Sequence, residues 1–211
     1  MAPNLAMIDE THPLLLGSAS PRRREILATL GLPLRVVSLD VDERLRPGEG
    51  PRPYLERIVA DKLAAATPHA VAVGAVLVAD TSVILGETAL GKPADDAEAR
   101  AMLTALAGRE HEVWTRFAIA SGADPMRAVH AETVRTRVFF RALDADEIKA
   151  YAATGEGLDK AGAYAIQGIG SFAVERIEGS YSNVVGLPAC EVIVALRGAG
   201  LLGRFPRPPI A

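Results

Sequence analysis

The sequence holds a single cysteine, Cys190, so no internal disulfide can brace the fold. It sits in an apolar stretch, residues 184–196, and is expected to fill the core as a small hydrophobe rather than act as a reactive thiol. Long apolar runs are also missing. The longest, from Val71 to Leu85, is broken by Gly74, Asp80, Thr81 and Ser82 and is shorter than the roughly 20 residues a spanning helix needs. No membrane span or membrane partner is expected. Where a secretory leader would be basic, the chain carries Asp9 and Glu10, and Leu14 to Leu16 is too short for its apolar core, so a cytoplasmic location is expected. Positive charge is not in excess: 23 Lys and Arg face 26 Asp and Glu, a net charge of -3, which weighs against a nucleic-acid partner. Any anion site must therefore be built locally. With no repeat or low-complexity linker, the 211 residues read as one domain, 13–202, with 1–12 and the Pro-rich 203–211 as flexible tails.

What is present is an alternation of strand and helix signals. Leu14 to Leu16 reads as a buried strand and Pro21 to Leu30 as a helix, with Ser20 as cap, Pro21 at its first position and Gly31 as terminator. Strand Leu34 to Leu39, an acidic loop, helix Pro53 to Ala66, strand Val76 to Leu85 and helix Asp96 to Ala107 follow. Gly86 to Leu90 reads as a turn. Then the pattern changes: Val113 to Ala120 and Thr133 to Phe140 are strands with no helix between them, an antiparallel pair. Asp144 and Glu147 form a capping box for a helix to Ala153, and a Gly-rich loop, 155–170, leads to strand Phe172 to Ile177 and a last helix, Pro188 to Leu196. The class is α/β on a mixed central sheet with flanking helices.

Chemistry-bearing residues break these patterns. Gly17 to Arg24, GSASPRRR, puts hydroxyls and arginines at a helix N-terminus, where unpaired N–H groups attract anions; a capped surface helix fits equally. Successive helical residues project about 100° apart, so Arg22, Arg23 and Arg24 cannot all face one ligand. Lys62 falls within the apolar stripe Leu55, Ile58, Val59, Leu63 and Ala66, where its charge must snorkel, pair or meet an anion. Asp80 interrupts the most apolar strand, a costly place for a carboxylate without a cation or donors. Thr81 points the other way in an ideal strand, so contact of both with one ligand requires the strand to end or bulge. Lys92 lies on a stiff Gly-Lys-Pro loop, and Asp42 and Glu43 offer hard oxygens for a metal. Gly-spaced 160–168 lets backbone approach a ligand, with the Gln167 amide available to a base edge; a tight hairpin is the competing view.

In combination, Ser18-Ala19-Ser20-Pro21-Arg22-Arg23, Ala79-Asp80-Thr81, Gly91-Lys92-Pro93, Ala161 to Gly168 and Gly179 to Pro188 resemble the Maf family of nucleotide pyrophosphatases, over nearly the whole chain. The resemblance implies two lobes around a cleft, a fold similar to the inosine triphosphate pyrophosphatases. It also implies Asp80 as proton acceptor, with Lys62 and Lys92 as its catalytic companions. Glu43 and Asp80 would hold a divalent Mg²⁺ or Mn²⁺, and Ser18, Arg22, Arg23, Lys62 and Lys92 would line the polyphosphate. Arg22, Thr81 and Gln167 match the branch that hydrolyses dTTP and UTP to monophosphate and pyrophosphate, with modified pyrimidines as further substrates. The competing readings are the same reaction on 7-methyl-GTP or another modified purine triphosphate, and a non-catalytic cell-division regulator binding nucleic acid or a division protein. A homodimer is compatible with the sequence, which does not set the oligomeric state.

Overall fold

The computed structural model describes residues 7–206. Seven strands form one mixed sheet: β1 (Leu14–Gly17), β2 (Leu34–Val37), β3 (Ala75–Leu85), β4 (Thr88–Leu90), β5 (Glu110–Ser121), β6 (Asp124–Phe140) and β7 (Val174–Glu178). The order is β2-β1-β3-β5-β6-β7, with β4 paired to β3. β1 runs parallel to β2 and β3, and every pairing beyond β3 is antiparallel. The helices are α1 (Pro21–Thr29), α2 (Pro51–Ala66), α3 (Asp96–Leu106), α4 (Ala145–Ala153), α5 (Tyr181–Val185) and α6 (Ala189–Gly198).

Alternation along the strands sends side chains into opposite layers. Leu14, Leu16, Leu77 and Ile119 meet Leu27 of α1 and Val192 and Leu196 of α6. Leu15, Val76, Val78 and Ala118 meet Val59, Leu63 and Ala66 of α2. Farther along the same two strands, Val83 and Val113 join Val138 and Phe140 against Leu103 and Leu106 of α3 and Ile148 of α4. β3 and β5 thus contribute to both lobes, and the cleft lies between these cores.

Local signals located the helix ends. Ser20 caps α1 by accepting from the Arg23 N–H, Gly31 takes φ +69° beyond its end, and the Asp144–Glu147 capping box is closed in both directions. Tertiary pairing moved others. The hairpin of β5 and β6 extends to a two-residue turn at Gly122 and Ala123, because cross-strand bonds hold a polar stretch whose side chains face solvent. Gly86 to Leu90 is not only a turn, since Thr88–Leu90 pairs back on β3. Phe172 lies in a 3₁₀ turn, Ile169–Ala173, not in β7: the Glu156 carboxylate accepts from the Ile169 and Gly170 N–H groups at 2.9 and 2.8 Å. α5 was not anticipated; at five residues it is too short to show periodicity.

Two expectations are corrected. Cys190 is exposed, because α6 turns Val192, Ala195 and Leu196 to the core and its first turn outward. Residues 7–12 do not form a loose tail: Ile8 is 2% exposed and donates its N–H to the Leu201 carbonyl at 2.8 Å, and Phe205 packs on the same core. Residues 1–6 and 207–211 of the expected tails lie outside the described residues. Among the described residues no helix is long and apolar enough to cross a membrane.

Candidate active site

β1 stops at Gly17, opposite Val78, whereas β4 joins the same edge of β3 only at Val83. Among the described residues no strand therefore pairs with residues 79–82 on that side, and a cavity of about 610 Å³ opens there, at the carboxyl end of β1. It brings together Ser18, Arg22, Arg23, Glu43, Lys62, Asp80, Thr81, Lys92 and Gln167, the nine residues to which the family resemblance gives a role, but neither Arg24 nor Asp42. The strand neither ends nor bulges at Asp80 and Thr81, whose register with Arg116 and Thr115 is unbroken. The open edge gives both faces of β3 access to one cavity.

On one face stands a charge cluster. Lys62 emerges from the buried stripe of α2, and its Nζ lies 2.7 Å from Asp80 Oδ1 and 2.6 Å from Glu43 Oε1. Pairing, rather than snorkelling, answers the cost of burying Lys62 and Asp80, each 7% exposed. Lys92, well exposed, reaches Glu43 Oε2 at 3.5 Å. Burial works to raise the Glu43 carboxyl, but the charges of Lys62 and Lys92 outweigh it and hold the group below its usual range.

Glu43 sits on an irregular loop that α2 fastens. The Tyr54 hydroxyl donates to the Glu43 carbonyl at 3.0 Å, and Arg57 donates to the Arg44 carbonyl and, through two hydrogen bonds of 2.7 and 2.6 Å, to the Glu49 carboxylate. That Arg57 contact draws the Glu49 carboxyl down to about 2. Asp42 does not join Glu43: its side chain turns away to Arg44, 2.8 Å from both Nε and Nη2.

On the other face Arg23 is buried and faces protein acceptors. Nε donates to the Gly186 carbonyl (2.8 Å), Nη1 to Ser18 Oγ (3.1 Å) and the Ala79 carbonyl (2.9 Å), and Nη2 to Thr81 Oγ1 (3.0 Å). Most of its donors are thus committed to protein acceptors, two of them the Ser18 and Thr81 hydroxyls, rather than free for polyphosphate. Burial lowers its pKa from the ordinary arginine value. Arg22 leans toward Asp159 at 3.6 Å across the cleft, and Arg24 is exposed, so the three arginines do diverge.

In the Gly-rich loop, close approach is to the protein itself. Gly162, at φ +70°, leaves no room for a Cβ, which would fall 2.9 Å from Val83, and its N–H donates to the Gly91 carbonyl beside Lys92. Residues 161–163 form a 3₁₀ turn rather than a hairpin, and Ala161 and Tyr164 to Gln167 line the cavity. Gln167 is exposed at the mouth of the cleft. Sequence reasoning missed Tyr54, Thr115, Asp159 and Asn183. Asn183 is fully buried and donates to the Val113 carbonyl and Thr136 Oγ1, both at 3.0 Å, tying α5 to the sheet. An amide between Ser182 and Val184-Val185 was its only signal.

Among the described residues no group of three or more His, Cys, Asp or Glu side chains is placed to hold a metal. Two carboxylates, Glu43 and Asp80, do converge on one cationic position. That donor set fits Mg²⁺ or Mn²⁺, which takes one or two carboxylates and completes its shell with phosphate and water oxygens.

A family model described as Maf-like protein matches residues 13–199. The chain is 49% identical over 195 residues to a dTTP/UTP pyrophosphatase of Anaeromyxobacter dehalogenans, covering 92% of this chain and 96% of that one. It is 52% identical over 192 residues to a dTTP/UTP pyrophosphatase of Myxococcus xanthus, covering 89% and 93%. A solved nucleoside-triphosphatase / dITP/XTP pyrophosphatase from Mycobacterium abscessus aligns over 63% of this chain and 74% of that one at 14% identity and a TM-score of 0.37, too loose a likeness to add to the fold described.

Proposed function

This chain belongs to the family of Maf-like proteins, and on that premise we propose that it is a pyrophosphatase cutting dTTP and UTP to the monophosphate and pyrophosphate. The observation that carries the reading is the Lys62–Asp80 pair, 2.7 Å apart and buried at the open edge of β3. A general base and a cation share one spot, in a cleft whose wall is the N-terminus of α1. The described residues, Ile8 and Phe205 included, act as one domain, in the cytoplasm.

Asp80 takes a proton from a water directed at the α-phosphorus. The water oxygen bonds to phosphorus as the bond to the bridging oxygen breaks, and pyrophosphate leaves with that oxygen. Lys62 and Lys92 offset charge on the transferring and departing groups, and Ser18 with the first turn of α1 receives the polyphosphate. Glu43 and Asp80 hold the divalent metal, which when bound supplies further neutralisation of polyphosphate charge. Arg23 fixes Ser18 and Thr81 in place. Arg22 and Gln167, at the mouth, meet the base.

The relatives' names support pyrimidine triphosphates over 7-methyl-GTP, and hydrolysis over a purely regulatory role. Pyrophosphate release from dTTP, UTP and 7-methyl-GTP tests this: higher kcat/KM on the first two is expected, and orthophosphate as the main product would move the attack to the γ-phosphorus and overturn it. Gln167→Glu removes an amide donor and adds charge, so it should erode the pyrimidine preference by about ten- to hundredfold. An unchanged substrate ratio in the folded variant would take Gln167 out of base recognition.

A further inference from the structure

The charge cluster holds more than the general base needs. Asp80 Oδ1 and Glu43 Oε1 both contact Lys62 Nζ, at 2.7 and 2.6 Å, so the two oxygens are no farther apart than those distances combined. Two carboxylates this close, Asp80 buried and Glu43 exposed at the rim of the cavity, repel each other unless a cation stands between them. Lys62 is that cation, and it reaches the spot from a buried helical stripe that leaves its stem little freedom. The second oxygen of Glu43 already faces Lys92 at 3.5 Å.

We infer that Lys62 is the resting counter-ion of the metal site, and that a divalent cation arriving at Glu43 and Asp80 displaces its ammonium toward the polyphosphate. The inference rests on Glu43 and Asp80 being the metal oxygens. A divalent ion draws carboxylate oxygens to about 2.1 Å, where it would repel an ammonium held by the same oxygens. Tethered on α2, the released Nζ stays in the cleft, where the other carboxylate, Asp159, is already paired with Arg22 and Lys160, so the substrate is the anion left to it. Metal binding thereby delivers a phosphate ligand, and by linkage the metal and the nucleotide each strengthen binding of the other. The exchange also shields the empty site: while Lys62 is seated, the general base is paired and the cluster nearly neutral.

The test is Mn²⁺ affinity in the full chain without nucleotide, read from the free-ion paramagnetic signal. Lys62→Met removes the competing charge at similar length and is expected to bind Mn²⁺ about tenfold or more tighter than wild type. Lys92→Met, at an exposed position, should change the affinity far less. Should Lys62→Met fail to fold, nitrogen NMR of the wild-type lysine ammonium groups answers the same question: saturating Mg²⁺ should shift the Lys62 signal. Equal or weaker Mn²⁺ binding by folded Lys62→Met, or a Lys62 signal unmoved at Mg²⁺ saturation, overturns the exchange. If Glu43→Gln and Asp80→Asn bind Mn²⁺ as well as wild type, the metal-site reading itself falls and the exchange falls with it.

Discussion

Asp80→Asn keeps the shape of the side chain and loses its proton affinity, while Lys62 retains Glu43 as a partner. Turnover is expected to fall about 10²- to 10⁴-fold with the melting temperature close to wild type; steady-state kinetics beside thermal unfolding measures both. His111 carries a different cost. It is 2% exposed, with Nε2 2.9 Å from the Tyr164 hydroxyl and, among the described residues, no partner at Nδ1, and burial pushes its pKa from 6.5 down to about 4. The unfolded chain therefore binds a proton below about pH 6.5 that the folded chain refuses until about pH 4. Stability from this residue is complete above pH 6.5 and is lost as pH falls through that window, by an amount on the order of 3 kcal/mol. Urea unfolding at pH 7.5 and 4.5 should show the loss, and His111→Gln should show a shallower slope between them.

Elements were legible where their signals are local. Ser20-Pro21 and Gly31 bracket α1, and Asp144 with Glu147 opens α4, because caps use atoms within one turn. The polar half of β6 was hidden, since only pairing with β5 makes a strand of Asp124 to Glu132. For the site, residue types out of place pointed to Lys62 and Asp80, but nothing near Arg23 could reveal acceptors at Ala79 and Gly186, which are backbone atoms distant in sequence. The Gly-rich loop was legible in part, since Ala161 and Tyr164 to Gln167 do line the cavity. Its glycines looked like ligand approach, whereas Gly162 is required by Val83. Gly162→Ala meets both a left-handed backbone and that contact, so a loss of about 2 kcal/mol or more is expected in chemical denaturation. Because the Gly162 N–H holds the Gly91 carbonyl, the folded fraction should also show a raised KM through a displaced Lys92.

At the scale of the molecule, the modest net charge of -3 conceals a cleft rich in cations, four of which (Arg22, Arg23, Lys62 and Lys92) converge from α1, α2 and the loop after β4. Two carboxylates alone make a weak metal site that substrate phosphates must complete. Chelation should therefore abolish hydrolysis reversibly while leaving the unfolding temperature nearly unchanged, a pair of readings that assay and calorimetry give together. A large drop in melting temperature on chelation would instead mark a structural ion.

β3 and β5 pass from one core to the other in an unbroken ladder from Ala75 opposite Ser121 to Ile84 opposite Glu112. A beam of two hydrogen-bonded strands has no hinge, so the lobes cannot swing apart without breaking backbone bonds. The interval between the anion pocket of α1 and the Lys92 loop is set by this beam, independently of what occupies the cleft. Tolerance for change is thus unevenly distributed: apart from Glu43, Glu49 and Gly162, the loops at 38–50 and 155–168 overhang the beam without being part of it and can be rebuilt to admit a different base, while a single proline in β3 would cost the whole frame.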